Sequence, residues 1–372
     1  MWLRIPPGSS PRLSPLVRRL ATVLAPALAA AALACGEDTQ APSIPAGPAH
    51  PTSEVTAAAA YTIRDLGTLG GTGSEAQAIN NVGGIVGWST VAAGRPHAFL
   101  YKAGVMHDLG TLAGGESEAT AINDSGVVVG WSRVLSGAMR AVRWMGGVKK
   151  NLGTLGGRNS MATGIDVFGV IVGWSETATG GPHAFVWKDG VMTDIGTLGG
   201  TTSRAYGINR AGKVVGQSTT ASGEAHAFTW KDGVFKDLGT HGNQSSFATA
   251  VNTAGQVVGA LGPPPDAVGQ DLEVTTPFLL SQGVWTVFNT RQPESEARAI
   301  NPDGIIVGGD MDHHSETATE DAWVRQTDGT VQYLPELSVG HSGALGINKY
   351  VTIVGYSQTA GGNIHAVLWR PQ

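Results

Sequence analysis

The densest set of possible metal ligands is Asp310-Met-Asp312-His313-His314, followed by Glu316, Glu320 and Asp321. Carboxylate oxygens and imidazole nitrogens within a few residues can hold a divalent cation, and an oxygen-rich set points to Ca²⁺. The spacing matches no established metal motif. A solvated acidic loop is the alternative that the pattern favours, so Asp310, Asp312, His313 and His314 form a speculative metal site.

A second acidic stretch runs from Ala260 to Thr276 and contains Asp266, Asp271 and Glu273. Asp266, Asp271, Asp310 and Asp312 are the candidates for an acid and a base that would cleave extracellular polysaccharide. That chemistry needs two carboxyl groups at a defined separation, which the sequence does not fix. A polysaccharide-acting enzyme is therefore kept as an alternative to a binding protein.

Three tryptophans, Trp88, Trp131 and Trp174, occupy equivalent places in successive copies of a repeat. The same place holds Gln217, Ala260, Gly309 and Tyr356 in the other copies, so an aromatic ring is not required there for folding. A row of such rings could stack on sugars or on a partner protein. Packing between repeats is the alternative that we favour. With Asp266 and Asp271, these tryptophans define a candidate ligand face.

One histidine recurs in four of the copies, at His97, His183, His226 and His365. Equivalent places in a ring of repeats lie too far apart to share an ion. We expect each histidine to tie a strand to a loop by hydrogen bonds. No catalytic residue and no bound cofactor, apart from the possible Ca²⁺, is predicted.

The elements that position these residues come from a sevenfold repeat. Its Ile-Asn site steps by 43, 43, 43, 43, 49 and 47 residues, at Asn80, Asn123, Asp166, Asn209, Asn252, Asn301 and Asn348. A period in the low forties, with four short strand signals per unit, is typical of propeller blades.

One unit illustrates the pattern, with strands predicted at Glu75–Asn80, Ile85–Ser89, His97–Tyr101 and Val105–Leu109. Alanine or glycine on one face of the first strand predicts the innermost strand of a blade, where space is shortest. The unvarying glycine of the second strand, Gly87 here, indicates a close approach. We expect the ring of Phe99 to lie over it. Loops between second and third strands should share a face with the crossovers.

The two ends of the repeat region complement each other. It begins with a fourth strand, Tyr61–Leu66, and ends with a third strand, Ile364–Trp369. A ring in which the first strand completes the last blade leaves no open sheet edge. The prediction is an all-β, seven-bladed propeller of four-stranded blades over residues 61–372.

The N-terminal region predicts export. Residues 1–34 carry four arginines and an apolar run of 14 residues, Leu20–Leu33, too short to span a bilayer, which is typical of a signal peptide. Ala32-Leu33-Ala34-Cys35 resembles a bacterial lipobox, so we expect lipidation at Cys35, the only cysteine; cleavage that leaves a free thiol is the alternative. Residues 36–60 are rich in Pro, Ala, Thr and Ser and predict a disordered tether. The expected location is the bacterial envelope, facing the periplasm or at the cell surface, with secretion as the alternative if Cys35 carries no lipid.

Charge limits the classes of partner. Without residues 1–34 the chain has 20 basic and 29 acidic residues, a net charge of −9. This argues against nucleic acid and against direct contact with anionic membrane surfaces, so the membrane is expected to be reached only through the lipid anchor. A monomeric domain is expected.

Pro96-His-Ala-Phe99, Pro182-His-Ala-Phe-Val-Trp187 and Ala225-His-Ala-Phe-Thr-Trp230, with the Asp-Leu-Gly-Thr-Leu-Gly-Gly and Ile-Asn elements, resemble the bacterial "extracellular repeat, HAF family". The resemblance covers residues 61–370 and implies an extracytoplasmic location, but no activity. Arg140, Thr276 and Asp321 depart from it by replacing the histidine.

The sequence therefore favours a non-enzymatic binding or scaffold module that takes a protein or a glycan. A polysaccharide-acting enzyme and a purely structural envelope protein are the alternatives. Because shared positions build blades, we expect any ligand site to use unshared residues.

Overall fold

The computed structural model describes residues 60–242, 245–262, 275–292, 294–312 and 319–372, without the side chains of Met311, Asp312 and Thr319. It is all-β, with seven four-stranded antiparallel sheets arranged as the blades of a propeller. The predicted fold class is therefore confirmed. The predicted signal peptide, Cys35 and residues 36–59 lie outside the described residues. No helix long and apolar enough to cross a membrane occurs within these described ranges.

The first four blades follow one another along the chain, each running from the innermost to the outermost strand. Blade one contains β2 (Gly70–Ile79), β3 (Ile85–Val91), β4 (Pro96–Lys102) and β5 (Val105–Asp108). Blade two contains β6 (Ser117–Ile122), β7 (Val128–Arg133), β8 (Met139–Met145) and β9 (Val148–Asn151). Blade three contains β10 (Gly156–Ile165), β11 (Ile171–Thr177), β12 (Gly180–Lys188) and β13 (Val191–Gly196). Blade four contains β14 (Gly199–Ile208), β15 (Val214–Thr220), β16 (Ala225–Lys231) and β17 (Val234–Gly239).

The last three blades include the one that closes the ring. Blade five contains β18 (Ser246–Val251), β19 (Val257–Leu261), β20 (Thr276–Ser281) and β21 (Val284–Val287). Blade six contains β22 (Glu294–Ile300), β23 (Ile306–Asp312), β24 (Thr319–Arg325) and β25 (Val331–Tyr333). Blade seven contains β26 (Ser342–Ile347), β27 (Ile353–Gln358), β28 (Ile364–Pro371) and, as its outermost strand, β1 (Tyr61–Asp65).

Closure of the ring is as predicted. β1 pairs antiparallel with β28 from Tyr61 opposite Pro371 to Asp65 opposite Val367. The Leu66 amide donates to the Ala366 carbonyl at 2.9 Å, which extends the pairing by one residue. The first strand of the domain thus removes the open edge of the last blade.

The hydrophobic core lies between blades. Seven clusters of buried residues each join side chains of two neighbouring blades, one cluster for every junction of the ring. Val86 and Ala98 of blade one, for example, pack against Val128 and Trp144 of blade two. A blade therefore buries its apolar residues only when both neighbours are present.

A chain of asparagine hydrogen bonds joins the inner turns. The Asn80 Oδ1 accepts the amide of Gly84 in its own turn, and the Asn80 Nδ2 donates to the Asn123 carbonyl of the next blade at 2.9 Å. The same inter-blade bond is made by Asn123, Asn209, Asn252 and Asn348. Asp166 holds its own turn in the same way, but a carboxylate has no hydrogen to donate to Asn209.

The unvarying glycine of the second strand is explained by a backbone contact rather than an aromatic ring. A Cβ atom on Gly87 would lie 1.9 Å from the Glu75 carbonyl oxygen. The inner strand of each blade bulges here, between Ala76 and Ala78 in blade one, which brings that carbonyl close. Phe99 is the cross-strand partner of Gly87, as its predicted place over this glycine requires, but the backbone carbonyl is the closer contact. In blade six the Trp323 ring does approach Gly308, but the Glu296 carbonyl is still closer.

The blades present two faces. The turn face carries the turns between first and second strands and the hairpins between third and fourth strands. In blade three, Phe168 of the first kind of turn and Lys188 of the second kind line the same pocket. The crossover face carries the loops between second and third strands and the blade-to-blade crossovers. The bridge between Leu69 and Val91 joins these two kinds of loop, as expected from the sequence.

Deletion of Tyr61–Leu66 tests the closure. Tyr61 and Leu66 belong to two different inter-blade clusters, and burial of each is worth about 1.5–3 kcal/mol. We expect the deleted protein to melt far below the intact one or not to fold, as measured by calorimetry. Deletion of residues 50–55, which precede the ring, is the matched control, and equal melting of both deletions would contradict the closure.

Asp166→Asn tests the asparagine chain. The new Nδ2 would donate to the Asn209 carbonyl, so we expect a gain of about 0.5–1.5 kcal/mol in the free energy of unfolding. Asn123→Asp removes the equivalent donor and should destabilise by a similar amount. Opposite signs in urea unfolding are the expected result, and a loss of stability in Asp166→Asn would count against the role of this bond.

Candidate functional site

Side chains that differ from blade to blade gather at one cross-strand pair in each blade. On the inner strands the residues are Glu75, Glu118, Met161, Arg204, Phe247, Glu296 and Gly343. Opposite them on the second strands are Trp88, Trp131, Trp174, Gln217, Ala260, Gly309 and Tyr356. The shared scaffold thus carries a different polar, aromatic or small pair in each blade.

The interior of the ring brings polar groups of distant blades together. Burial raises the pKa of Tyr206, Arg204 opposes the shift, and Glu296 adds to it. Tyr206 belongs to blade four and Glu296 to blade six, so their mutual influence acts across the inside of the ring, past blade five. Polar side chains of these two non-adjacent blades therefore face each other across the inside of the ring.

The three predicted ligand-facing tryptophans are largely enclosed. Trp88, Trp131 and Trp174 are only 7%, 5% and 9% exposed. Trp131 and Trp174 pack with Met161 between blades two and three, and the Trp131 Nε1 donates to Glu118 at 3.0 Å. The structure thus places Trp131 and Trp174 in inter-blade packing, and Trp88 is buried as well. Their use in ligand binding stays a prediction.

Arg298 is the centre of a buried ion network. Its Nη2 donates to the Glu320 Oε1 at 2.6 Å, and its Nε lies 3.8 Å from the Glu296 Oε2. Burial acts to lower the pKa of Arg298, but Glu320, then Tyr356 and Glu296 raise it, so the guanidinium stays charged. A Cβ atom on Gly309 or Gly343 would lie within 3.0 or 2.7 Å of its Nη1, which explains the small residues there.

Glu118 and Glu75 are neighbouring buried carboxyl groups. Burial raises the pKa of Glu118 to about 8, Glu75 contributes to the rise, and the hydrogen bond from Trp131 opposes it. Glu75 itself accepts a hydrogen bond from the Gln77 amide at 2.8 Å. Near neutral pH, Glu118 therefore holds its proton for a large part of the time.

Blade six replaces a polar set that other blades share. In blade one, Ser89, His97 and Asp108 lie on adjacent strands at the crossover face, and the His97 Nδ1 contacts Asp108 at 2.8 Å. The strand registers put Asp310, Asp321 and Tyr333 in the same three places of blade six. In blade six, the Asp321 carboxyl group thus stands in the place of the histidine, and the Tyr333 phenol stands in the place of the aspartate.

The replaced set is held by new hydrogen bonds. The Asp310 Oδ2 accepts the Tyr333 hydroxyl and also the amides of Arg291 and Gln292, at 3.2 and 3.3 Å. The Arg291 guanidinium stacks on the Tyr333 ring, 3.8 Å from its centre. Asp310 is fully buried, and its Oδ1 has no hydrogen-bond partner among the described residues.

A pocket opens beside this set. It has a volume of about 460 Å³ and is lined by Arg291, Asp321, Tyr333, Leu334, Glu336, Ser338 and Val339. Burial raises the pKa of Asp321, and Asp310 raises it further, whereas Arg291 lowers it. Tyr333 and Arg291 are site residues that the sequence alone did not assign to a ligand, whereas Asp321 was named among the possible metal ligands. Aligning the seven copies would have singled out Tyr333, because five of the other copies have aspartate or asparagine there and blade five has Val287.

The predicted metal and acidic-loop residues are only partly described. The Asp310 Oδ2 already accepts hydrogen bonds from Tyr333 and from backbone amides. His313, His314, Asp266 and Asp271 lie outside the described residues, as does the side chain of Asp312. Within the described ranges, no group of three or more metal-ligating side chains is found. The described part of the loop thus gives no ligand set for Ca²⁺.

The motif histidines bind aspartates on the neighbouring strand. The pairs are His97–Asp108, His183–Asp194, His226–Asp237 and His365–Asp65, with Nδ1–Oδ2 distances of 2.7 to 2.9 Å. The second oxygen of Asp108 accepts the Gly110 amide, which fixes the start of the crossover. The histidine therefore links two strands and a crossover. In blade two, Arg140 and Asn151 replace the pair together.

No family model and no curated protein matches the sequence. Among solved structures, TolB from Acinetobacter baumannii is similar over 74% of this chain and 76% of its own, at 11% identity and a TM-score of 0.44. Virginiamycin B lyase from Staphylococcus aureus is similar over 83% and 99%, at 13% identity and a TM-score of 0.43. A mutant of AofleA from Arthrobotrys oligospora, with three arginines replaced by alanine, is similar over 84% and 92%, at 12% identity and a TM-score of 0.35.

Glu118→Gln tests the buried carboxyl pair. Because the pKa of Glu118 rises from 4.5 to about 8 on folding, the folded chain retains a proton that the unfolded chain releases. Its contribution to stability is therefore full below pH 4.5 and is lost as the pH rises towards 8. In Glu118→Gln, which does not titrate, the fall in melting temperature over this range should shrink. Glu224→Gln, at a side chain 62% exposed, is the control, and equal slopes in both variants would refute the assignment.

Proposed function

We propose that this chain is an exported, lipid-anchored propeller that binds a glycan or protein ligand at the crossover face and carries out no reaction. The proposal places the ligand in the blade-six pocket beside Asp321, Tyr333 and Arg291. It also takes the chain to be a relative of the HAF-repeat proteins, on the strength of the repeated motifs.

The observation that carries the proposal is the replacement of a structural set by an open, polar one. Four blades use a histidine–aspartate pair to hold the crossover. Blade six gives up this pair and uses Asp310, Tyr333 and Arg291 instead, leaving Asp321 at the pocket wall. The histidine–aspartate pair is sufficient for folding in those four blades. Its replacement in blade six therefore supports a different use of the same place.

The chemistry of the pocket favours a hydroxyl-rich ligand. Asp321 and Glu336 can accept hydrogen bonds, Arg291 can donate several, and Ser338 can do both. The Arg291–Tyr333 stack offers a flat surface next to these groups. A sugar, with hydroxyl groups around an apolar ring face, matches this combination better than a purely apolar peptide does.

The envelope location rests on the N-terminal sequence. A basic segment, an apolar run of 14 residues and Cys35 in a lipobox-like context support export and lipidation. The tether to residue 60 then holds the propeller near the membrane while its crossover face binds the ligand.

A polysaccharide-acting enzyme is the second candidate. Asp310 and Asp321 are directly opposite each other on neighbouring strands, and the raised pKa of Asp321 suits a proton donor. Against this, Asp310 is fully buried and its Oδ2 is shared by three donors. A substrate in the pocket would meet Asp321 without Asp310, which favours binding over hydrolysis.

Reversion of blade six to the shared set is the sharpest test. Asp310→Ser, Asp321→His and Tyr333→Asp together restore the residues of blade one. We expect this triple variant to keep its melting temperature within a few degrees and to lose glycan binding at least about tenfold, as two or three polar contacts are removed. Binding is measured on a glycan array and then by calorimetry with the selected glycan.

Blade two supplies the matched control, because it also departs from the shared set. Arg140→His with Asn151→Asp restores its pair and should leave glycan binding unchanged. Equal affinity of the wild type and the blade-six revertant, or no bound glycan or protein for the wild type, would contradict the proposed site. Release of reducing sugar by the wild type but not by Asp321→Asn would favour the enzyme instead.

A further inference from the structure

The chain enters and leaves the propeller at the turn face. Ile63 pairs with Trp369, and Trp369 pairs with Ile353, which directly follows the turn Asn348–Thr352. Beyond these pairs, the Gln372 amide donates to the Ala60 carbonyl at 2.8 Å. The segment that precedes the ring, which includes Cys35, therefore joins it at this face.

Exposed apolar side chains are concentrated on the same face. Ten of the 13 large hydrophobic residues that are exposed in the described chain lie there. Phe168 and Tyr350, on inner turns, are 71% and 63% exposed. An outer circle is formed by the first residues of the fourth strands, Val105, Val148, Val191, Val234 and Val284. Of the 13, Leu135, Val287 and Val339 lie elsewhere.

Basic residues share this distribution. Six of the eight lysines lie at the turn face, namely Lys102, Lys150, Lys188, Lys213, Lys231 and Lys349. Arg143, Arg210 and Arg370 add to them, while Asp124, Asp189, Asp232, Asp303 and Asp328 are the exposed acids of the face in the described chain. These residues give the face a net positive charge of four, although the whole chain is acidic.

Two of the exposed rings carry a cation directly beside them. The Arg210 guanidinium lies 5.9 Å from the centre of the Phe168 ring, and the Lys349 ammonium lies 4.8 Å from that of Tyr350. An aromatic ring that enters the headgroup layer with a cation beside it places the positive charge at the level of lipid phosphates.

From these observations we propose that the turn face lies on an anionic lipid surface, with Phe168 and Tyr350 entering the headgroup layer. The negative net charge of the chain argues against such contact only if the charged residues are evenly distributed over the surface. They are not evenly distributed, because most of the exposed apolar residues, most of the lysines and the entry point of the chain all lie on the turn face. This orientation directs the crossover face and its blade-six pocket away from the membrane.

The experiment uses residues 60–372, which lack Cys35 and contain all seven inter-blade clusters, so that any membrane binding belongs to the ring. Sedimentation with vesicles of equal parts phosphatidylcholine and phosphatidylglycerol is compared with sedimentation with phosphatidylcholine alone. We expect binding to the first only, weakening with added salt.

Two pairs of variants assign the contact to the face. Phe168→Ser with Tyr350→Ser should weaken vesicle binding at least about tenfold, through the loss of two inserted rings. Leu135→Ser with Val339→Ser removes two even more exposed apolar residues from the crossover face and should not change binding. Lys188→Glu with Lys231→Glu should abolish binding, whereas Arg95→Glu with Arg158→Glu, at the crossover face, should weaken it only slightly.

Melting temperatures of all variants verify that the ring is intact. No binding of the wild-type ring to phosphatidylglycerol vesicles would overturn the proposal. It would likewise be overturned if the two apolar pairs lowered affinity equally, or if neutral vesicles bound as well as anionic ones. Glycan binding by the crossover face is measured separately, so the two proposals can fail independently.

Discussion

The structure depends on one constraint: no blade has a hydrophobic core made of its own residues alone. Each of the seven clusters contains residues of two neighbouring blades, so the apolar residues of the clusters are all buried only in a complete ring. The last blade is completed by Tyr61–Asp65, which pairs with the final strand and brings the first and last residues of the ring together. Closure therefore fixes three features at once: the absence of an open edge in blade seven, the burial of the core, and the position at which the N-terminal segment joins.

Shared polar residues align the blades that the apolar residues hold together. Asn80 satisfies its own turn and donates to the next blade, and Ser117 accepts the Ala98 amide of the preceding blade while donating to the Gly110 carbonyl. Such bonds satisfy backbone groups at junctions where no strand pairing is available. Because these residues are used in almost every blade, they are structural, and departures such as those in blade six stand out.

The two faces of the ring differ in composition. The turn face has most of the exposed valines, Phe168, Tyr350 and most lysines, whereas the crossover face has the histidine–aspartate pairs and the blade-six pocket. Antiparallel strands separate the two kinds of connection to opposite ends of each blade. One face can therefore serve attachment and the other recognition without conflict, which is how the proposals for ligand and membrane fit on a single small domain.

The sequence by itself determined the seven blades, their four strands and the closing role of the first strand. These features follow from local patterns repeated seven times, and from the complementary ends of the repeat. Tertiary structure alone decided which unshared residues meet. Glu118 beside Glu75, Tyr206 near Glu296, and Arg291 stacked on Tyr333 join residues from different blades or crossovers, whose separation in the chain carries no sign of contact. The enclosure of Trp88, Trp131 and Trp174, and the carbonyl that approaches Gly87, likewise depend on packing and on a strand bulge that no local pattern specifies.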